Sequence, residues 1–327
     1  MDKAIVVDKL VKNFVVTEKE AGFVGALSSI FHPVKKTVEA LKNITFTIQK
    51  GELVGFIGPN GAGKTTTMKV LSGLIHPDSG FVSVMGHDPW KKSGKYLKNI
   101  SLIMGQKNQL WWDLPVIDSL EFNKAVYQIK DSDYEKNLSS LVEILKIGNL
   151  LKTPVRKLSL GQRMKVELVA ALIHNPQVLF LDEPTVGLDL VAQQALRDFI
   201  FEYNRKNEST VLLTSHNMAD LADLSRRVIV INEGNIVYDG LLEKLTKKYA
   251  PNKIIKVLFE KEVSLEDLQK IGNIDKYNYP EAVISVPRST ISYVASELLQ
   301  NFDVIDIDIE EPPIEDVIRQ VFETKDF

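Results

Sequence analysis

The chain has no cysteine among its 327 residues. That excludes disulfides and thiolate metal sites and matches a reducing compartment. It also lacks any apolar run near the roughly 20 residues that a bilayer-spanning helix needs. If the protein works at a membrane, another subunit is expected to cross it. There is no long basic tract, and the formal net charge is -3. Nucleic acid therefore gets no electrostatic support as a partner. The opening Met1-Asp2-Lys3-Ala4 does not read as a signal peptide. Internal repeats and low-complexity segments are missing too. What is present is ordinary for a globular protein with a real core: 44% hydrophobic and 25% charged residues. The length suggests roughly two domains.

The most informative stretch is Gly58-Pro59-Asn60-Gly61-Ala62-Gly63-Lys64-Thr65. It fits G-x-x-x-x-G-K-[ST], the loop that cradles nucleotide phosphates. The apolar run Leu53-Val54-Gly55-Phe56-Ile57 before it reads as a buried strand, and Thr66-Thr67-Met68 opens a helix. A glycine-rich turn in that setting aims backbone N–H groups and a helix N-terminus at an anion. Lys64 can reach the β- and γ-phosphates, and the Thr65 hydroxyl can hold Mg²⁺.

Around this loop the spacing predicts an α/β domain with a mainly parallel sheet. Residues 4–7 and 13–16 read as two strands or one bent strand. Residues 17–37 interrupt the pattern. Within them Phe23, Leu27, Ile30 and Phe31 fall at helical spacing, closed by Pro33. Such a helix can pack on its own domain or offer an apolar face to a membrane subunit or lipid; both readings stand. Strands are expected at 40–48, 80–84, 100–104, 178–181 and 210–214, and a hairpin around Glu233-Gly234. Residues 116–150 read as helices. The expected division is a nucleotide-binding domain at 1–246, a linker at 247–252 and a small α+β appendage at 253–327. In the appendage, Ile305-Asp306-Ile307-Asp308-Ile309-Glu310 could carry a metal, but a strand with one solvated face explains the alternation with nothing added.

Asp182 and Glu183 close the apolar run Val178-Leu179-Phe180-Leu181. Open α/β sheets place ligands at such carboxyl ends. Mg²⁺ takes oxygen ligands, which suits Asp182, and Glu183 is placed to orient and deprotonate an attacking water.

With these residues in order, the chain resembles the nucleotide-binding subunit of an ATP-binding cassette (ABC) transporter over residues 1 to about 245. Leu158-Ser159-Leu160-Gly161-Gln162 is similar to that family's signature sequence. The resemblance implies an ABC-type P-loop ATPase domain: a mainly parallel sheet core, an antiparallel β subdomain and a helical subdomain. It implies ATP and Mg²⁺ as cofactors, held by residues 58–65 with Thr66, and by Thr65, Gln106 and Asp182 for the metal. It further implies a head-to-tail dimer, in which Ser159, Gly161 and Gln162 touch the γ-phosphate of the partner's ATP. Phe14 matches the aromatic that stacks on adenine, though a strand phenylalanine can equally be core. Gln106 matches the glutamine that senses Mg²⁺ and the attacking water. Asp189 matches the aspartate that communicates across the dimer, and His216 the switch histidine. Glu183, His216 and Gln106 form the expected catalytic set. Leu160 departs from the family, whose usual residue there is glycine.

Trp111 and Trp112 follow Gln106 closely. The resemblance puts this region at the groove that receives a helix of the membrane subunit; burial under the helical subdomain is the alternative. The run from Gly105 to Pro115 most resembles ATPases serving export-type (ABC-2) permeases, as does the C-terminal appendage. The expected protein is thus an ATPase at the cytoplasmic face of the membrane, paired with a second copy and with ABC-2 permease subunits. An importer ATPase shares every catalytic motif and stays open. A soluble cassette acting on ribosomes or DNA fits less well, since there is one cassette, no heptad run and no basic tract.

Overall fold

The computed structural model describes residues 2–18, 34–105, 109–215, 221 and 223–323. The amphipathic run expected at 21–31, Gln106 and His216 lie outside the described residues. The chain forms two compact units, Met1–Gly240 and Leu241–Phe327.

In the first unit, β1 (Lys3–Glu18) and β2 (Val34–Gln49) make a long antiparallel hairpin. Strand β1 also pairs with β4 (Ser79–Val84), giving a three-stranded antiparallel sheet in the order β2-β1-β4. The interruption expected at 17–37 is therefore narrower: strand continues to Glu18 and resumes at Val34. Beyond Val11, which faces Ser79 on β4, the hairpin stands as a two-stranded ribbon. Exposed Val15, Lys35, Lys36 and Glu39 there leave no buried face to impose a readable period.

The second sheet has six strands, in the order β5-β6-β7-β3-β8-β9. Its members are β3 (Leu53–Ile57), β5 (Ile100–Met104), β6 (Val178–Asp182), β7 (Thr210–Thr214), β8 (Arg227–Asn232) and β9 (Asn235–Leu241). The pairs β5–β6, β6–β7, β7–β3 and β3–β8 are all parallel. Strands β6 and β7 are buried along their whole length, as continuous apolar runs in parallel sheets should be. Glu233 and Gly234 make the two-residue turn between β8 and β9.

Helix α1 (Lys64–Leu71) packs Met68, Val70 and Leu71 into a single core between the two sheets, with Ile5, Ile44, Phe46, Phe56 and Phe180. After α2 (Gly94–Asn99), the helical part comprises α3 (Val116–Tyr127), α4 (Asp131–Leu145) and α5 (Leu160–Leu172), followed by α6 (Leu190–Asn207).

The second unit begins with α7 (Leu242–Tyr249) and has a four-stranded antiparallel sheet. Its order is β11-β12-β10-β13, from β10 (Asn252–Phe259), β11 (Asn273–Asn278), β12 (Glu281–Pro287) and β13 (Val304–Glu310). Helices α8 (Leu265–Gln269), α9 (Ile291–Asn301) and α10 (Ile314–Glu323) complete it. Leu268, Val294 and Leu298 pack on Ile255, Val257 and Ile284. The expected linker at 247–252 is corrected: residues 247–249 finish α7, whose Leu245 is fully buried and which packs with α10, and Asn252 starts β10. In β13 the carboxylate of Glu310 pairs with Lys256 at 2.6 Å; the expected single solvated face is not seen, since Ile305 and Ile309 are exposed and Ile307 alone of the three isoleucines packs on the core. No cluster of metal-ligating side chains occurs among the described residues.

Candidate active site

Strand β3 delivers the chain into the phosphate loop from the buried core, and α1 carries it away. Gly63 makes the turn at φ 113°, and a Cβ there would stand 2.7 Å from the Ala40 carbonyl of β2; only glycine meets both conditions. Lys64 is buried. Its ammonium donates to the carbonyls of Gly58 (2.6 Å) and Pro59 (3.0 Å), so the loop curls around its own lysine. Burial lowers the Lys64 pKa, and the carboxylates of Glu183 and Asp182 act against that shift. Thr65 and Thr66 follow on the first turn of the helix.

Asp182 ends the buried strand β6 and accepts two hydroxyl bonds. Thr65 Oγ1 donates to its Oδ2, and Thr214 Oγ1 to its Oδ1, each at 2.8 Å. The next residue, Glu183, takes a left-handed backbone at φ 54°. That conformation costs a bulky residue on the order of 1 kcal/mol or more and is typical of working sites. Its N–H is held at 3.1 Å by both the carbonyl and the hydroxyl of Thr214. Thr214 thus fixes Asp182 and Glu183 together. Sequence reasoning passed over it, although a threonine ending a buried parallel strand beside an acidic strand end is a usable signal. The oxygen donors of Thr65 and Asp182, already within one hydrogen bond of each other, form the hard set that Mg²⁺ prefers, so the residues present fit that ion.

Phe14 is exposed on the ribbon, opposite Val38, with the Lys12 ammonium 5.5 Å from its ring centre. It is not a core residue. Val38 is two residues along β2 from Ala40, which touches the phosphate loop, a rise of roughly 7 Å.

The signature residues sit elsewhere, at the exposed N-terminus of α5. Ser159 caps it: its hydroxyl accepts the Gln162 N–H (3.2 Å), and the Gln162 side chain accepts the Ser159 N–H (3.0 Å). Asp189 caps α6 in turn, accepting the Ala192 N–H at 2.9 Å. The two caps adjoin, with Gly161 against Ala192 and Leu160 against Gly187. The structure therefore gathers Lys64, Thr65, Asp182 and Glu183 into one cluster and Ser159, Gly161, Gln162 and Asp189 into another. Trp111 and Trp112 are 54% and 46% exposed, which removes the burial alternative.

Residues 41–186 match the ABC transporter family, and residues 251–310 match the EvrA-like ABC transporter C-terminal domain. The ABC transporter ATP-binding protein NatA of Bacillus subtilis is 33% identical over 66% of this chain and 87% of its own length. The chain belongs to the ATP-binding subunits of ABC transporters. The linearmycin resistance ATP-binding protein LnrL of the same organism is 27% identical over 86% of this chain and 92% of its own. A solved dimeric ATP-binding cassette in a post-hydrolysis state with ADP and Pi aligns at a TM-score of 0.60 and 20% identity, covering 73% of this chain and 98% of that one. That likeness speaks for the fold. The ABC chain described here is accordingly an ATP-binding, ATP-hydrolysing cassette, of a family whose subunits dimerise and partner with membrane permeases. None of its described helices is long and apolar enough to cross a membrane.

Proposed function

We propose that this cassette powers an export-type (ABC-2) permease as one half of a head-to-tail dimer at the cytoplasmic face of the membrane. Lys64 and the loop of residues 58–65, through the N–H groups it carries, bind the phosphates, and Phe14 stacks on adenine. Thr65 and Asp182, with Gln106, hold Mg²⁺, which when bound neutralises phosphate charge. Glu183, beside Lys64, orients and deprotonates the attacking water, with His216 at the γ-phosphate. Ser159, Gly161 and Gln162 present a capped helix N-terminus to the partner's ATP, and Asp189 faces the same junction.

The observation that carries the permease reading is the exposure of Trp111 and Trp112, which follow two and three residues after Gln109 in the lining of a groove of about 660 Å³. Leu74, Leu97, Val126 and Tyr127 line it together with Lys95 and Lys98, a groove of mixed apolar and cationic character suited to an amphipathic helix. Export over import is favoured by the likeness to LnrL, a protein named for resistance. The experiment is purification from membranes in mild detergent. A polytopic membrane protein should co-purify and be lost on Trp111→Ala with Trp112→Ala; no such partner in the unaltered protein sinks the reading. Glu183→Gln should keep ATP binding, accumulate dimers and slow turnover by about 10²- to 10⁴-fold, the range of a lost general base. Ordinary turnover in that variant removes Glu183 from its role.

A further inference from the structure

Two carboxylates are buried among the described residues: Asp182, which belongs to the site, and Glu167, which the site does not use. Glu167 is 4% exposed, two turns into α5. An ionised group so placed is strongly unfavourable unless donors meet it. Here they come from a segment 58 residues upstream. The Gln109 N–H donates to both carboxylate oxygens, at 3.0 and 3.2 Å, and the Leu110 N–H is directed at the same group. Burial raises the Glu167 pKa, and these N–H groups and Arg163 act against it.

Arg163 lies four residues earlier on the same helix, hence on the same face. Its guanidinium sits 5.9 Å from the centre of the Trp112 ring. Helix α5 therefore grips residues 109–112 twice, by a buried charge on backbone N–H groups and by a cation on an indole. Toward the parallel sheet the same segment has a neutral bond, from Gln109 Nε2 to the Leu102 carbonyl at 2.5 Å. A charge-assisted bond is roughly twice as strong as a neutral one. If α5 shifts, residues 109–112 should follow α5 and leave β5.

We propose that Glu167 and Arg163 form a clasp through which the signature-bearing helix moves Trp111 and Trp112, so that ATP captured at Ser159–Gln162 is felt at the exposed tryptophans. Both are positioning residues. The inference rests on the reading of those two surfaces as the nucleotide-facing and permease-facing ends of the cassette.

The test is amide hydrogen exchange of residues 109–112 in the full chain carrying Glu183→Gln, with and without ATP and Mg²⁺. ATP should change exchange there by about tenfold, the equivalent of one bond, as residues 109–112 leave β5 with α5. Adding Glu167→Gln, which removes the charge and replaces one of the two acceptor oxygens by an NH₂, should largely remove that response while ATP affinity stays within about twofold. Arg163→Ala, at a half-buried position where loss of fold is not at issue, should reduce it. A response that survives both variants overturns the clasp, and so does the lack of any response to ATP in the Glu183→Gln chain. Failure of the docking reading shows separately, as a membrane partner that still co-purifies after both tryptophans are removed.

Discussion

The two clusters that a cassette needs are built in opposite ways. The phosphate-loop cluster is sunk in the core: Lys64 and Asp182 are buried, and every polar atom named there already has an internal partner. The signature cluster lies on the surface. The side chains of Ser159 and Gln162 are each turned back onto the other's backbone N–H, and just past Asp189 the large side chains of Leu190 and Val191 are 80% and 81% exposed. Adjacent apolar side chains at that exposure, beside exposed Leu160, mark a contact face more than a finished surface. One half is pre-organised by folding. The other is a cap and an apolar rim that, on the proposed reading, meet a second copy.

The largest effect expected from this contrast is on the buried half. Lys64→Ala removes a cation that holds the loop closed and that, on the proposed reading, faces the phosphates. ATP affinity, measured by calorimetry on the isolated protein, should fall on the order of 100-fold, matching about 2–3 kcal/mol for charge-assisted bonds. The signature half should respond differently. Ser159→Asp keeps a good N-cap, so the fold should stand. It also places a negative charge where a triphosphate from another copy would lie. Turnover should drop about tenfold or more, with ATP affinity of the isolated subunit unchanged. A matching loss of affinity in Ser159→Asp would mean that the two clusters act on one ATP within one chain, and the contrast would break.

The same contrast governs what could be read without coordinates. Buried runs announced themselves: strand was expected at 100–104 and 210–214, and Ile100–Met104 and Thr210–Thr214 are strands. A run with no polar side to hide has only one way to be buried in a parallel sheet. Where a segment is solvated on both faces the pattern fades, as at Lys35 to Thr37, read as part of an interruption though it is strand. Strand β11 shows no clean alternation, because a register shift between Ile274 and Lys276 breaks the period of two. Lys247 and Lys248 looked like linker, yet they are the solvated end of α7, whose buried side rests on Leu245. At the site, contiguous motifs were legible, since the phosphate loop and Asp182-Glu183 each carry their chemistry in neighbouring residues. Thr214 and Glu167 were not. Each acts on groups 31 or more residues away, and nothing local in a strand-end threonine or a helical glutamate says which group it will meet.

The smallest effect expected concerns whether the signature half has any packing of its own. Leu160 stands where the family's usual residue is glycine, and a Cβ added at Gly187 would lie 2.8 Å from Leu160 Cδ2. Leu160 therefore occupies the space that a side chain at position 187 would fill. Gly187 also sits at φ 76°, which an alanine tolerates poorly. Gly187→Ala should thus destabilise the fold for two reasons, about 1 kcal/mol of backbone strain and a further fraction from the contact. Leu160→Gly should relieve only the second. In a double-mutant cycle followed by denaturant unfolding, Gly187→Ala should cost about 0.5 kcal/mol less in the Leu160→Gly background. Equal costs in both backgrounds would show that Leu160 does not rest on Gly187. The signature half would then be open rim throughout, and its leucine would be available in full to the second copy.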